Sequence, residues 1–423
     1  MLIEKLRDKN NYPIILFIVV LINYIPLILL NMCTKESVGV NTIYIGICFL
    51  IELIILITFF YKKIEINFDI KKQIAILTII SIVLFLIQIK NFIIKDYRIM
   101  DFINVGCQFI NILLFFIFTK NIKINEEKID CFMKAIILMG LVACINNMIL
   151  YYSEILNFFG ILELKEKAKH MKSFFANRNQ FAFFLYLAIV ANMYVLNKNK
   201  NIFYKITFPI LFLNIFFSMS RTGILIASMF LLIYIFMSDK ISKKSKIILL
   251  TTICICGIIF LVVLNCINPK LIENLVRIQS LSNLSGRTDI WERGINIIFE
   301  NPINFLFGVG RFKGIEVLKF KTKTFTQFHN IYIDCLVTGG IIELIFIGYI
   351  YWYVIKNVIN SNMDKSYKRL YISMFITYFI YIAFESFGRF SIGASDTLCL
   401  AFFVAIPLLH SNIIIKKEKT EEK

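Results

Sequence analysis

Residues 206–237 read ITFPILFLNIFFSMSRTGILIASMFLLIYIFM, and the Ser220-Arg221-Thr222-Gly223 in their middle decides how the chain is organised. Both flanks are apolar and Arg221 is the single charge among the 32 residues. Split at the arginine, the stretch gives two helices of about 16 residues, about 24 Å each at 1.5 Å per residue. That is shorter than the roughly 30 Å hydrocarbon core of a bilayer. The turn that carries Arg221 therefore lies slightly below one membrane face, in a cavity lined by protein. An arginine at that depth is costly and marks a functional position by default. The helix starting at Thr222 adds free N–H groups and a positive dipole end, so the pair suits an anion such as a phosphate. The plainer reading is an arginine that snorkels to lipid headgroups.

Composition extends the membrane reading to the whole chain. Of 423 residues, 58% are hydrophobic and 17% charged, against about 25% charged in a soluble domain. Six prolines and 43 phenylalanines exclude disorder and a collagen-like chain. The fold class expected is an all-α polytopic membrane protein with about 12 transmembrane helices and one large extracytoplasmic loop containing short helices. The spans begin near residues 13, 40, 73, 102, 135, 180, 206, 222, 248, 331, 370 and 392. Residues 1–423 form a single transmembrane domain and 268–330 the long loop. The first span follows Lys5, Arg7 and Lys9, as a signal peptide would. No small-residue cleavage site follows it, and Asn23 and Pro26 continue into a full-length span, so it reads as a retained helix.

The 46 Lys and Arg against 28 Asp and Glu leave a net charge of +18, which taken alone suggests nucleic acid. The charges instead fall in short clusters between apolar runs, the pattern that orients membrane proteins. Nucleic acid is therefore not expected as a partner, and the lipid bilayer is. The seven segments on the N-terminal side carry 26 Lys/Arg and are all short and basic. The other side carries 20, most of them in loops 154–179 and 268–330, and long translocated loops are weakly constrained by charge. Both termini are thus expected in the cytoplasm and the two long loops outside.

Several chemistries lack their residues. The chain has no GxxxxGK[ST], DxD, HExxH, GxSxG or CxxC, so no metal site and no cofactor is expected. Most of the ten cysteines sit inside apolar runs as small hydrophobes; Cys33 and Cys266 lie near span ends. What remains is cationic. Arg287, in Ser285-Gly286-Arg287-Thr288-Asp289-Ile290-Trp291, precedes an amphipathic helix over Asp289–Glu300. Thr288 is its expected N-cap, and Ile290, Trp291, Ile295, Ile298 and Phe299 its apolar face. A guanidinium fork suits a diphosphate better than an ammonium does. His329, in Phe328-His329-Asn330, opens the tenth span. Neighbouring cations and a helix N-terminus would keep its imidazole neutral and able to accept a proton. His170 reads as solvated, and His410, near the end of the last span, as structural. Arg178, in Phe174-Phe175-Ala176-Asn177-Arg178-Asn179, is a third cation on the outer side, between two asparagines of the helix-capping type. Glu52, Glu343, Glu385 and Asp396 lie in or beside spans and need cations or protons; Glu385 and Arg389 have the spacing of a local helical pair.

All four motifs fall on the outer side of a topology derived from loop charge alone. At this point the chain resembles the O-antigen ligase and Wzy-type polymerase family of bacterial membrane glycosyltransferases. The resemblance rests on the Ser220-Arg221 turn, on SGRTDIW followed by Asn301-Pro302 and Phe307-Gly308-Val309-Gly310, and on His329-Asn330 leading to Thr338-Gly339-Gly340. Phe175-Ala176-Asn177-Arg178-Asn179 adds to it, so the ordered match covers residues 173–345, the expected catalytic region. It implies a metal-independent enzyme of the bacterial cytoplasmic membrane. The enzyme would move a glycan from undecaprenyl diphosphate to an acceptor glycan hydroxyl at the outer face. Arg221 and Arg287 would hold the diphosphate, His329 would position or deprotonate the acceptor, and Arg178, Asn177, Asn179 and Asn330 would bind substrate. Polymerase is favoured over ligase because nothing points to a lipid A-core acceptor. The alternative class is a transporter or flippase for polysaccharide or lipid-linked glycan, which usually places its substrate near the midplane on broken helices.

Overall fold

The computed structural model describes residues 11–35, 42–61, 68–93, 99–122, 124–159, 161–162, 171–239, 242–267, 287–320, 323–324, 327–391 and 393–421. A helix covers or begins within two residues of each of the twelve expected starts. They are α1 (Tyr12–Asn31), α2 (Thr42–Tyr61), α3 (Phe68–Ile93), α4 (Ile99–Ile112, carried on through Leu113–Phe118) and α5 (Glu126–Leu150). After the short α6 (Tyr152–Phe158) come α7 (Arg178–Lys198), α8 (Ile202–Phe217), α9 (Arg221–Phe236) and α10 (Lys243–Ile267). The long loop contributes α11 (Arg287–Phe299), α12 (Pro302–Phe307) and α13 (Arg311–Val317). The bundle closes with α14 (Ile331–Asn360), α15 (Lys365–Tyr381) and α16 (Ala394–Leu400, carried on through Ala401–Ala405 and Ile406–Glu421). The one sheet among the described residues is a two-residue antiparallel ladder, β1 (Lys319–Phe320) with β2 (Lys323–Thr324). Among the described residues, five helices are long and apolar enough to cross a membrane: Tyr12–Asn31, Glu126–Leu150, Arg178–Lys198, Ile331–Asn360 and Ala394–Ile413. The helices either side of the turn, Ile202–Phe217 and Arg221–Phe236, have 16 residues each; the first begins four residues before the apolar run and the second at Arg221 rather than Thr222.

Helix α7 forms the centre because it is apolar all round, the mark of a helix with neighbours on every side. Every residue from Phe181 to Asn192 is buried, against α5, α8, α9 and α15. Phe183 stacks on Tyr381 with ring centroids 4.6 Å apart. Small residues set the closest approaches. A Cβ on Gly140 of α5 would stand 2.9 Å from Ala188 Cβ of α7. A Cβ on Gly223 would overlap Ala182, so that glycine lets the Arg221 turn press onto the first turn of α7.

A second glycine contact ties the long loop to the bundle. Helix α14 breaks at Gly340, whose φ of 69° and ψ of −164° free the carbonyls before it. Val309 N donates to Val337 O at 2.7 Å and Gly310 N to Thr338 O at 3.0 Å. Gly308 and Gly310 have φ of 71° and 84°, which few other residues adopt. A Cβ on Gly308 would overlap the Thr338 backbone, and one on Gly340 the Leu306 backbone. The Gly-Val-Gly turn and the Thr-Gly-Gly break thus meet backbone to backbone.

The loop helix differs from expectation in detail. Helix α11 begins at Arg287, so Thr288 lies within its first turn rather than capping it. Ile290 and Ile298 are buried against Phe328, Ile333 and Val337, but Ile295 and Phe299 are 45% and 67% exposed. The helix uses a narrower stripe than its composition offers, because α12 and α14 cover only one side of it. The Glu385–Arg389 pair does not form. The chain after Ile382 is not helical, and Arg389 instead donates to Glu343 Oε1 of α14 at 3.1 Å. Glu52 is met by an amide, Asn23 Nδ2, at 2.9 Å. Cys33 and Cys266 are both free and exposed. His170, Ser285, Gly286, Lys5, Arg7, Lys9 and residues 268–286 of the long loop lie outside the described residues.

Candidate functional site

Glu385 gathers the separate motifs. It lies just past α15, 1% exposed. Its Oε1 accepts from Arg287 Nη2 at 2.8 Å and from Asn179 Nδ2 at 2.6 Å. Its Oε2 accepts from His329 Nδ1 at 3.1 Å. Asn179 Oδ1 in turn accepts from Ser220 Oγ at 2.9 Å. Ser220 is the N-cap of α9 and accepts from Gly223 N at 3.3 Å, so the helix that starts at Arg221 is anchored to the same network. One chain of hydrogen bonds therefore joins the Asn-Arg-Asn segment, the Ser-Arg turn, the loop helix and the histidine, which are scattered over 150 residues of sequence.

Each member is placed by a helix end. Arg178 and Arg221 are the first residues of α7 and α9, and both are half-buried. Arg287 is the first residue of α11 and keeps 17% of its side chain exposed. His329 immediately precedes Asn330, the N-cap of α14. Arg178, Arg221 and Arg287 each open a helix, and a helix N-terminus favours an anion.

Two asparagines are committed to local work. Asn177 Oδ1 accepts from Gln180 N at 2.9 Å and caps α7. Asn330 Oδ1 accepts from Tyr332 N at 3.0 Å and Ile333 N at 3.2 Å and caps α14. Asn179 is the asparagine of its segment that enters the network.

The surroundings of His329 differ from the sequence expectation. Its nearest charged partner is a carboxylate, not a cation, with Gln327 Nε2 further off at 3.4 Å. A carboxylate facing Nδ1 takes the proton of that nitrogen as a hydrogen bond, which leaves Nε2 as the acceptor. The backbone at His329 is left-handed, φ 51°, and so is Met219 before the Ser-Arg turn, φ 54°. Non-glycine residues held there cost of order 1–3 kcal/mol and cluster at functional sites. His410, by contrast, is buried against Tyr194, Tyr367 and Tyr371 and bonds Tyr371 Oη at 3.0 Å, the structural role expected of it. The residue missed by sequence reading is Glu385. The available sign was a carboxylate in apolar surroundings, which needs a cation or a proton.

A helical membrane protein with a cationic, histidine-bearing site at its helix starts is the class that fold and site define. Residues 206–348 match the family model Wzy_C, described as O-Antigen ligase. Over that third of its length the chain is similar to the O-antigen ligase and Wzy-type family, a similarity that supports a role in glycan transfer for surface polysaccharide. The matched stretch runs from α8 into α14 and contains Arg221, Arg287 and His329; Asn179 and Glu385 lie outside it. Among curated proteins none matches the chain.

Proposed function

We propose that this protein joins glycans at the outer face of the bacterial cytoplasmic membrane, taking the donor from undecaprenyl diphosphate. The observation that carries the reading is the convergence of Arg287, His329 and the Asn179–Ser220 pair on Glu385. Arg221 and Arg287 hold the donor diphosphate and stabilise the charge that develops on it as it leaves. His329 Nε2 takes the proton of the acceptor hydroxyl, with Glu385 holding the other nitrogen. The hydroxyl oxygen bonds to the anomeric carbon as the bond to the phosphate oxygen breaks, so the configuration inverts. The proton ends on His329 and undecaprenyl diphosphate departs. No step calls for a metal, consistent with the missing DxD. Helices at or near the twelve expected starts, together with the distribution of loop charge, support a twelve-span topology with both termini cytoplasmic and this site outside. The family match lends nothing to the transporter alternative.

The test is a reaction of purified full-length protein with undecaprenyl-diphosphate oligosaccharide in chelator, resolved on a gel. A ladder of repeat units that disappears with His329→Ala identifies a polymerase, the favoured reading. Transfer only after a separate acceptor is added identifies a ligase. Absence of transfer with any acceptor would overturn the transferase reading.

A further inference from the structure

Against the wall that carries Asn179, His329 and Glu385 lies a cavity of about 250 Å³. Its lining interleaves with the site along the chain. Gln180 follows Asn179, Phe328 precedes His329, and Ser386 follows Glu385. The site and the cavity are therefore two sides of the same short segments. The opposite wall comes from Asn23, Pro26 and Leu27 of α1 and Cys48 of α2, which lie outside the family-matched stretch.

The lining mixes apolar and polar side chains, and its charges balance, Arg311 and Arg389 against Asp334 and Asp396. All four are held by the protein itself, Arg311 by donating to Asn104 Oδ1 at 3.2 Å. Arg389 is paired with Glu343. Asp334 accepts from Ser386 Oγ and from Phe328 N. Asp396 accepts from Gly388 N at 2.5 Å and Ser391 Oγ at 2.7 Å. What the cavity offers a ligand is amides and hydroxyls beside the rings of Phe328 and Phe387. That chemistry fits sugar hydroxyls and the apolar face of a pyranose, and gives a diphosphate no surplus charge to bind. Gln180 Oε1 is buried and takes no hydrogen bond from the described residues. A buried acceptor left unpaired is costly, and a sugar hydroxyl is the kind of donor that would satisfy it. At roughly 30 Å³ per water, the space equals about eight waters, enough for one monosaccharide.

We propose that this cavity receives an uncharged sugar residue of the acceptor glycan and sets acceptor choice, with the first two helices contributing its far wall. The proposal rests on the transferase reading and adds the place of the acceptor. Its lining by Phe328, the residue before His329, would bring the acceptor hydroxyl toward the imidazole while the diphosphate is held by Arg221 and Arg287.

The experiment measures initial rates with the purified full chain, a labelled lipid-linked donor and two acceptors. One acceptor is a repeat unit on undecaprenyl diphosphate; the other is the same oligosaccharide freed of lipid and phosphate. Gln180→Leu removes the hydrogen-bonding groups at similar volume, and Leu27→Trp fills the cavity from the wall away from the site. Each should raise the acceptor KM about tenfold and leave the donor KM unchanged. A rise with the lipid-linked acceptor alone identifies a lipid-linked repeat unit as the occupant's source. A rise with the free oligosaccharide as well shows that the sugar suffices. An unchanged acceptor KM in Gln180→Leu, or a rise in the donor KM instead, overturns the cavity's role while leaving the transferase intact. If the wild type transfers to neither acceptor, the transferase reading fails and this proposal with it.

Discussion

The sharpest prediction concerns Glu385→Gln. The carboxylate has two donors on Oε1, Arg287 at 2.8 Å and Asn179 at 2.6 Å, and one on Oε2, His329 at 3.1 Å. A glutamine has a single oxygen, and two donors outweigh one, so that oxygen turns to Arg287 and Asn179. Its NH₂ then faces His329 Nδ1 and makes that nitrogen an acceptor. The ring proton moves to Nε2, the nitrogen that must receive the proton of the acceptor hydroxyl. A positioned general base contributes about 10²- to 10⁴-fold, which is about 3–5.5 kcal/mol at 1.36 kcal/mol per decade. The variant should therefore lose kcat by that range. The KM for the lipid-linked donor should stay within a few-fold, because Arg287 keeps an oxygen partner. The assay is initial rate against donor concentration in detergent or nanodiscs, with folding checked by thermal melt. A kcat within threefold of wild type would refute the claim that Glu385 sets the tautomer of His329.

Three further outcomes follow from the same geometry. Arg389→Ala leaves Glu343 buried with only Gln108 beside it at 3.0 Å, and should destabilise the protein by about 3–5 kcal/mol, read as a lower thermal midpoint; Arg389→Ala with Glu343→Gln should recover most of the loss. Gly308→Ala combines a left-handed φ with overlap on the Thr338 backbone and should cost about 2 kcal/mol or more, with greater proteolysis of the long loop. Asn177→Ala removes a helix cap and should cost about 1 kcal/mol of stability with donor and acceptor KM little changed; a large KM rise would restore it as a substrate-binding residue.

Much of this was legible before any coordinates. Two short helices broken at Ser220-Arg221 follow from the single charge inside an apolar run, although the first begins four residues before that run. The helix starts at Arg178, Arg287 and Asn330 followed within a residue or two from caps, prolines and charge. What sequence could not supply was partnership across distance. Local spacing paired Glu385 with Arg389, but helical spacing applies only where there is a helix, and the chain unwinds after Ile382. The carboxylate then satisfies itself with groups 56, 98 and 206 residues away. His329 was assigned cationic neighbours from its loop's composition for the same reason. The function of the glycines was hidden too. Gly223 acts by what presses on it, and Gly308 and Gly340 by that together with a positive φ, neither of which local sequence shows.

The strained backbone at His329 needs a restraint, and the structure supplies one. Phe328 N, just before the histidine, donates to Asp334 Oδ1 at 3.3 Å, and Asn330 N, just after it, donates to Ser386 Oγ at 3.1 Å. Ser386 Oγ donates to Asp334 Oδ2, so both flanking amides are tied to one buried pair. A left-handed φ of 51° at a residue with a Cβ persists only if such contacts hold it, at a cost of order 1–3 kcal/mol. Ser386→Ala releases the Asn330 tether and keeps the Phe328 one. His329 should then relax toward ordinary φ and draw its ring from Glu385. The expected outcome is a kcat loss of about tenfold, with the thermal midpoint changed by no more than a lost hydrogen bond, about 1 kcal/mol, explains. Combining it with Glu385→Gln should give little further loss, because both changes act through the same imidazole, whereas independent sites would multiply. Multiplicative loss in the double variant would mean that Ser386 supports activity by a route other than His329.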